Sequence, residues 1–173
     1  MTLLLQISDT HFGTERPAVM DALKRLSDAR RPDVVMLSGD ITQRATEEQF
    51  AAARAYLDRL GIARRLVIPG NHDIPLYNLP ARLLSPYGHM RTAFDGPLEP
   101  VFESDDLLLI GLKSTRRWRR ENGEVSNAQI DRVAERLARA TPTQWRIVVT
   151  HQPVCVTQSK DDKNLLRNRE RAV

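Results

Sequence analysis

An α/β fold built on a largely parallel sheet is what this sequence predicts. Two observations carry the prediction. Short apolar runs of strand length recur along the chain, and helical patterns lie between several of them. The runs are "LLLQIS" at 3–8, "DVVMLS" at 33–38, "RLVIP" at 65–69, "LLLIGL" at 107–112 and "RIVVT" at 146–150. Their length and β-branched content suit strands that are apolar on both faces. The order is β-α-β-α-β, an interruption, then β-α-β, which places successive strands parallel.

The elements follow in turn. Residues 18–29 carry Val19, Ala22, Leu23 and Leu26 on one helical face, read as the side turned to the core. Thr46-Glu-Glu-Gln49 has the form of a capping box; Phe50, Ala53, Leu57 and Leu60 follow at helical spacing, and Gly61 is the stop. Ser126-Asn-Ala-Gln129 is a second box, followed by Ile130, Val133, Ala134 and Leu137, with Pro142 beyond the end. "VFES" before "DDLLLIGL" reads as a hairpin, so part of the sheet structure is antiparallel. Residues 74–100 hold five of the ten prolines and no helical period. They are expected to form an irregular loop, or lid, over a site. The tail, "SKDDKNLLRNRERAV", reads as the start of a charged helix.

Composition sets the outer limits. A chain of 173 residues suits a single domain with a real core. A net charge of +4 is too mild to argue for nucleic acid by itself. The one cysteine, Cys155, excludes an intrachain disulfide and a cysteine-based zinc cage, and is expected to be a small buried hydrophobe. The N-terminal stretch has neither a basic leader nor the length of a membrane span, so a cytoplasmic protein is expected.

The chemistry stands just past the strands. Asp9 and His11 follow the first run, Gly39 and Asp40 the second, Gly70, Asn71, His72 and Asp73 the third, and His151 the last. In parallel α/β sheets the carboxyl ends of the strands share one edge, where ligands bind. These side chains should therefore converge, with Gly39 and Gly70 letting the backbone turn sharply. Oxygen and nitrogen donors without thiolate suit divalent Mn, Fe, Zn, Co or Mg. A set of this size fits two ions sharing one carboxylate, which together clamp a displacement at phosphorus and generate hydroxide near neutral pH. On this reading Asn71 is a neutral ligand, His72 faces the substrate, and Asp73 holds the His72 ring in one tautomer.

"DTH" at 9–11, "GD" at 39–40, "GNHD" at 70–73 and "THQP" at 150–153 resemble the successive motifs of the calcineurin-like metallophosphoesterases, in order, spacing and strand-end placement. Within that family the chain is most similar to bacterial cyclic-nucleotide phosphodiesterase-like members. The resemblance implies a four-layer α/β/β/α sandwich with mixed sheets and a centre of two divalent metal ions. It implies Asp9 and His11 on one ion, Asp40 as the bridge, and Asn71 and His151 on the other, with His72 protonating the leaving oxygen. The family pattern closes with Gly-His-x-His, which this sequence lacks. Its histidines are His11, His72, His89 and His151, and Gly88-His89-Met90 precedes the fourth run. The C-terminal part of the family domain is therefore expected to be missing, through fragmentation or natural truncation.

The expected function is hydrolysis of small phosphodiesters, cyclic-nucleotide-like or other. A catalytically impaired binding module is one alternative. A nuclease is another, its one hint the basic loop "TRRWRR" at 115–120 around Trp118. Trp118 is expected to fold down on the core, and His89 to belong to the loop.

Overall fold

The computed structural model describes residues 1–119 and 121–173. The elements run β1 (Leu4–Ile7), α1 (Pro17–Arg30), β2 (Val34–Ser38), α2 (Glu47–Leu60), β3 (Arg64–Ile68), α3 (Leu79–Leu84), α4 (Gly88–Ala93), β4 (Val101–Glu103), β5 (Leu107–Gly111), α5 (Asn127–Arg139), β6 (Trp145–Val149) and α6 (Arg169–Ala172). The five apolar runs are strands, and the hairpin is present as the antiparallel pair β4–β5.

Two three-stranded sheets result. One is parallel throughout, in the order β1-β2-β3; the other, β4-β5-β6, is mixed. They face each other across one apolar layer, in which Val34, Met36, Leu66 and Ile68 meet Phe102, Leu107, Leu109 and Val149. On the outer side of the parallel sheet, Val35, Leu37 and Val67 pack with Phe50, Ala53, Tyr56 and Leu57 of α2. Both central strands, β2 and β5, are buried at every position, as apolar runs without alternation require. The mixed α/β architecture is the one the sequence predicts.

The caps are those the sequence encodes. Thr46 accepts a hydrogen bond from the Gln49 amide, and Gly61 ends α2 in the left-handed region. Ser126 and Gln129 form the reciprocal box at α5. The Gln49 side chain departs from the pattern, because its oxygen accepts from the Arg44 amide instead.

Several expectations need correction. Residues 74–100 contain two helices, α3 and α4. Six residues make under two turns, too short for a periodic signal. Met90 and Phe94 pack into the core beside α2, so this half of the segment is wall; His89 accordingly sits on a helix. The inward face of α1 is Met20, Leu23 and Ser27, while Val19 and Leu26 are exposed. The helix is turned by about one position, and the Tyr56 hydroxyl donates to the Met20 carbonyl. Cys155 and Trp118 are exposed; Arg120, also part of the basic-loop reading, lies outside the described residues. The tail forms a 3-10 segment at Ser159–Asn164, an isolated parallel bridge between Glu124 and Arg167, and the single turn α6. It folds back because Leu166 is buried with Leu112 and Val125. None of the described helices is long and apolar enough to cross a membrane.

Candidate metal centre

The site lies at the carboxyl edge of both sheets. It begins with backbone conformation. Asp9, His11 and Asp40 all have positive φ, at 56°, 44° and 48°. Such values are uncommon outside glycine and cost energy that the surroundings must hold in place. Here the loops hold each other: the Asp9 amide donates to the Gly39 carbonyl (3.1 Å), and the His11 amide to the Asp40 carbonyl (3.0 Å). The two glycines permit the close approach. A Cβ on Gly70 would stand 2.1 Å from the Asp40 nitrogen, and one on Gly39 would stand 2.5 Å from His151 Nδ1.

Asp73 staples this arrangement. It is 1% exposed, and its carboxylate accepts from the amides of Gly70 (2.8 Å), Ile41 (3.1 Å) and Thr42 (2.9 Å) and from the Thr42 hydroxyl (2.9 Å). Burial pushes its carboxyl up to about 6, against the pull of those donors. The expectation that Asp73 orients the His72 ring is corrected by these contacts. His72 Nδ1 lies 3.1 Å from the Gln43 carbonyl, to which it donates, and Asp73 spends its lone pairs on three amides and the Thr42 hydroxyl.

Asp40 is the centre of the polar cluster and 5% exposed. One oxygen accepts from the His72 amide (2.8 Å) and lies 3.3 Å from His151 Nε2; the other lies 3.8 Å from His11 Nε2. Burial pushes its carboxyl up, but the hydrogen bonds and charges of His151 and His72 outweigh that and hold it below the ordinary 3.8. His151 donates through Nδ1 to the Ser38 carbonyl (3.0 Å), which leaves Nε2 among Asp40, Asn71 Oδ1 (3.2 Å) and the side of Asp9. Burial pushes this imidazole down, and the carboxylates of Asp40 and Asp9 reverse it, so it stands above its ordinary value. A ring fixed by a backbone carbonyl with its other nitrogen turned inward is the usual posture of a metal-binding histidine.

Potential ligand atoms form two groups, the atoms of each within 4.8 Å of one another: Asp9, Asp40 and His151, and His11, Asp40 and His72. Asp40 belongs to both. Of the residues singled out from sequence, Asp9, His11, Asp40, His72 and His151 meet in these groups, Asn71 lies 3.2 Å from His151, and Asp73 is buried behind them. His72, expected to face the substrate, is itself a member of the second group, its ring 4.8 Å from that of His11 and perpendicular to it.

Two cavities meet here. An open one of about 510 Å³ is lined by Asp9, Asp40, Asn71, His72, His151 and Glu121. A smaller one of about 230 Å³ is lined by Gln43, Arg44, Ile74, Leu76 and Arg82 and shares Asn71, His72 and Glu121 with the first. Sequence reasoning missed Gln43, Arg44, Thr42 and Glu121, which carry no motif. Thr42 had one signal, its place two residues past Asp40 in the same turn.

The family model for calcineurin-like phosphoesterases matches residues 2–170. The chain is 29% identical to a probable cyclic nucleotide phosphodiesterase of Synechococcus sp., over 94% of this chain and 63% of that protein. It is 26% identical to the 3',5'-cyclic adenosine monophosphate phosphodiesterase of Escherichia coli K12, over 95% and 60%. The chain thus spans under two thirds of the length of both relatives. Among solved structures, a dimetal phosphatase from Danio rerio superposes with a TM-score of 0.69 at 15% identity, covering 98% of this chain and 75% of that one.

Proposed function

Because this chain belongs to the calcineurin-like phosphoesterase family, we propose that it carries the ligand-bearing part of a divalent-metal-dependent phosphodiesterase acting on small diesters. The observation that carries the reading is the pair of ligand groups joined at Asp40. The relatives named above as phosphodiesterases support the substrate class.

The residues fit divalent ions. The donors are carboxylate, imidazole and amide oxygen, a set suited to Mn, Fe, Zn, Co or Mg. His11 turns Nε2 toward the carboxylates of Asp40 (3.8 Å) and Asp9 (4.0 Å), while its Nδ1 is buried without a hydrogen-bond partner among the described residues. Asp9 and His11, with Asp40, would hold one ion, and Asp40, Asn71 and His151 the other. When bound, such ions supply Lewis acidity for a phosphoryl oxygen and for the attacking water.

The chain's own groups do the rest. The Ser38 carbonyl fixes the His151 ring, and the Gln43 carbonyl fixes that of His72. With Nδ1 donating to Gln43, His72 Nε2 is left for the leaving oxygen, to which it gives a proton. Asp73 keeps the loops after β2 and β3 in register, so that the Asp40 carboxylate and the His72 ring arrive together.

The test is loading the chain with Mn or Zn and assaying bis(p-nitrophenyl) phosphate. Turnover that requires metal and saturates at two ions per chain supports the reading. Tight binding of a nucleotide without turnover would favour the binding module instead.

A further inference from the structure

The small cavity beside His72 is unused by the chemistry above. It shares Asn71, His72 and Glu121 with the open cavity over Asp40, so a substituent on phosphorus held there passes His72 to enter it. At about 230 Å³ it falls below the roughly 300 Å³ at which whole-ligand sites begin, and so suits one part of a substrate. Its walls combine apolar Ile74 and Leu76 with the guanidinium of Arg82, which is fixed by hydrogen bonds to the carbonyls of Pro75 (3.2 Å) and Arg119 (2.8 Å). At the mouth, Arg44 donates to the Tyr77 hydroxyl (3.1 Å) and lies over its ring, 5.4 Å from the centroid. Tyr77 does not line the cavity and remains 77% exposed, so its ring and the Arg44 guanidinium are open to solvent beside it. Arg44 also adjoins Gln43, whose carbonyl orients His72, and its own amide is tied to Gln49 (2.8 Å). The selecting surface and the proton donor are therefore set by the same turn.

We propose that Arg44 and Tyr77, with this cavity, are the specificity-determining subsite for the departing group, and that it takes a planar aromatic group such as a nucleobase in preference to a glycerol-type alcohol. The proposal rests on the phosphodiesterase reading and adds to it a substrate preference. Flat π-faces and guanidinium planes reward a stacked base and offer little to a flexible polyol. Polar Gln43 and Glu121 supply hydrogen-bonding partners for the edge of a base.

The experiment compares two diesters with the same methyl group on one side, methyl adenosine 5'-phosphate and methyl glycerol 3-phosphate, on the metal-loaded chain. Tyr77→Ala and Arg44→Ala should each lower the ratio of kcat/KM for the nucleoside over the glycerol ester by about tenfold, chiefly through KM. An unchanged ratio overturns the subsite. Calorimetry with adenosine 5'-monophosphate and glycerol 3-phosphate on the metal-free chain gives a second readout. Binding that favours the nucleotide, and loses that preference in Tyr77→Ala, supports the proposal; binding that does not discriminate overturns it. If the parent hydrolyses neither diester, the phosphodiesterase reading fails, and the calorimetry still decides the subsite.

Discussion

Asp9, His11, Asp40, Asn71, His72 and Asp73 all follow strands of the parallel sheet, whereas the mixed sheet brings His151 to the same edge. The two halves differ in how they are held. Behind the parallel sheet, Asp73 ties three amides and a hydroxyl from two loops, and Gly39 and Gly70 allow contacts that a single Cβ would break. In the mixed sheet, Trp145 and Val148 of β6 are exposed, and so are Val154 and Cys155 beyond it. The difference teaches that the centre is preorganised from one side. Hydrogen bonds and close backbone contacts set the positions of Asp40, Asn71 and His72 before any ion arrives, while His151 is positioned chiefly by its bond to the Ser38 carbonyl, itself part of the parallel sheet.

The strongest way to break that comparison is at Asp40, the residue common to both ligand groups. Asp40→Asn should weaken metal binding at both positions by more than about 100-fold, beyond the roughly 10–100-fold typical of changes one step removed from a metal. His151→Ala should weaken one position and spare the other. Calorimetric titration with Mn or Zn resolves the two. Equal, modest losses from both variants would mean that Asp40 does not bridge.

His72 gives the next effect. His72→Ala should retain metal and lose about 10²–10⁴-fold in turnover of an alkyl diester, the usual contribution of a general acid. A nitrophenyl ester, whose leaving group departs without a proton, should lose much less. Loss of metal instead would assign His72 to the ligand group with His11 and Asp40, which its position also permits.

How much of this was legible in sequence follows the same division. Strand ends are marked by where an apolar run stops, so every proposed ligand could be placed at one edge. The capped helices were readable because Thr46, Ser126 and Gly61 act within one turn of chain. What Asp73 does was not readable, because its partners, Ile41 and Thr42, are some thirty residues away. The positive φ at Asp9, His11 and Asp40 was equally hidden, since the strain is imposed by bonds between loops. Helix α1 misled because Val19 and Leu26 look like a core stripe, yet an edge helix buries only a narrow face.

Stability should separate the halves directly. Asp73→Ala leaves three buried amides without an acceptor, each costing about 1–3 kcal/mol, so the loss in urea unfolding should be at least about 3 kcal/mol. Val148→Ala, on the exposed side of β6, should stay within about 0.5 kcal/mol. Similar costs for the two would mean that the staple is no more important than the rim.

The smallest effect concerns the tie at the far end of β1 from the site. Asp106, in the β4–β5 turn, accepts from the Thr2 amide and hydroxyl and from Ser104 (2.9 Å), joining the start of the parallel sheet to the mixed one. Those hydrogen bonds, first of all from the Thr2 side chain, pull its carboxyl down to about 2. A depressed carboxyl contributes stability that is fully present above its unfolded value of 3.8 and is lost as pH falls through about 2. Amide exchange at Leu3 and Leu4 should therefore stay slow above pH 4 and quicken below about pH 3. Asp106→Asn should make that exchange faster at neutral pH and flatten its acid dependence, with the melting temperature nearly unchanged, since the tie is only part-buried and loosens one strand end. If the variant instead lowered protection in β2 and β3 together with β1, the two sheets would be opening as one unit, and the independence of the preorganised half would be lost.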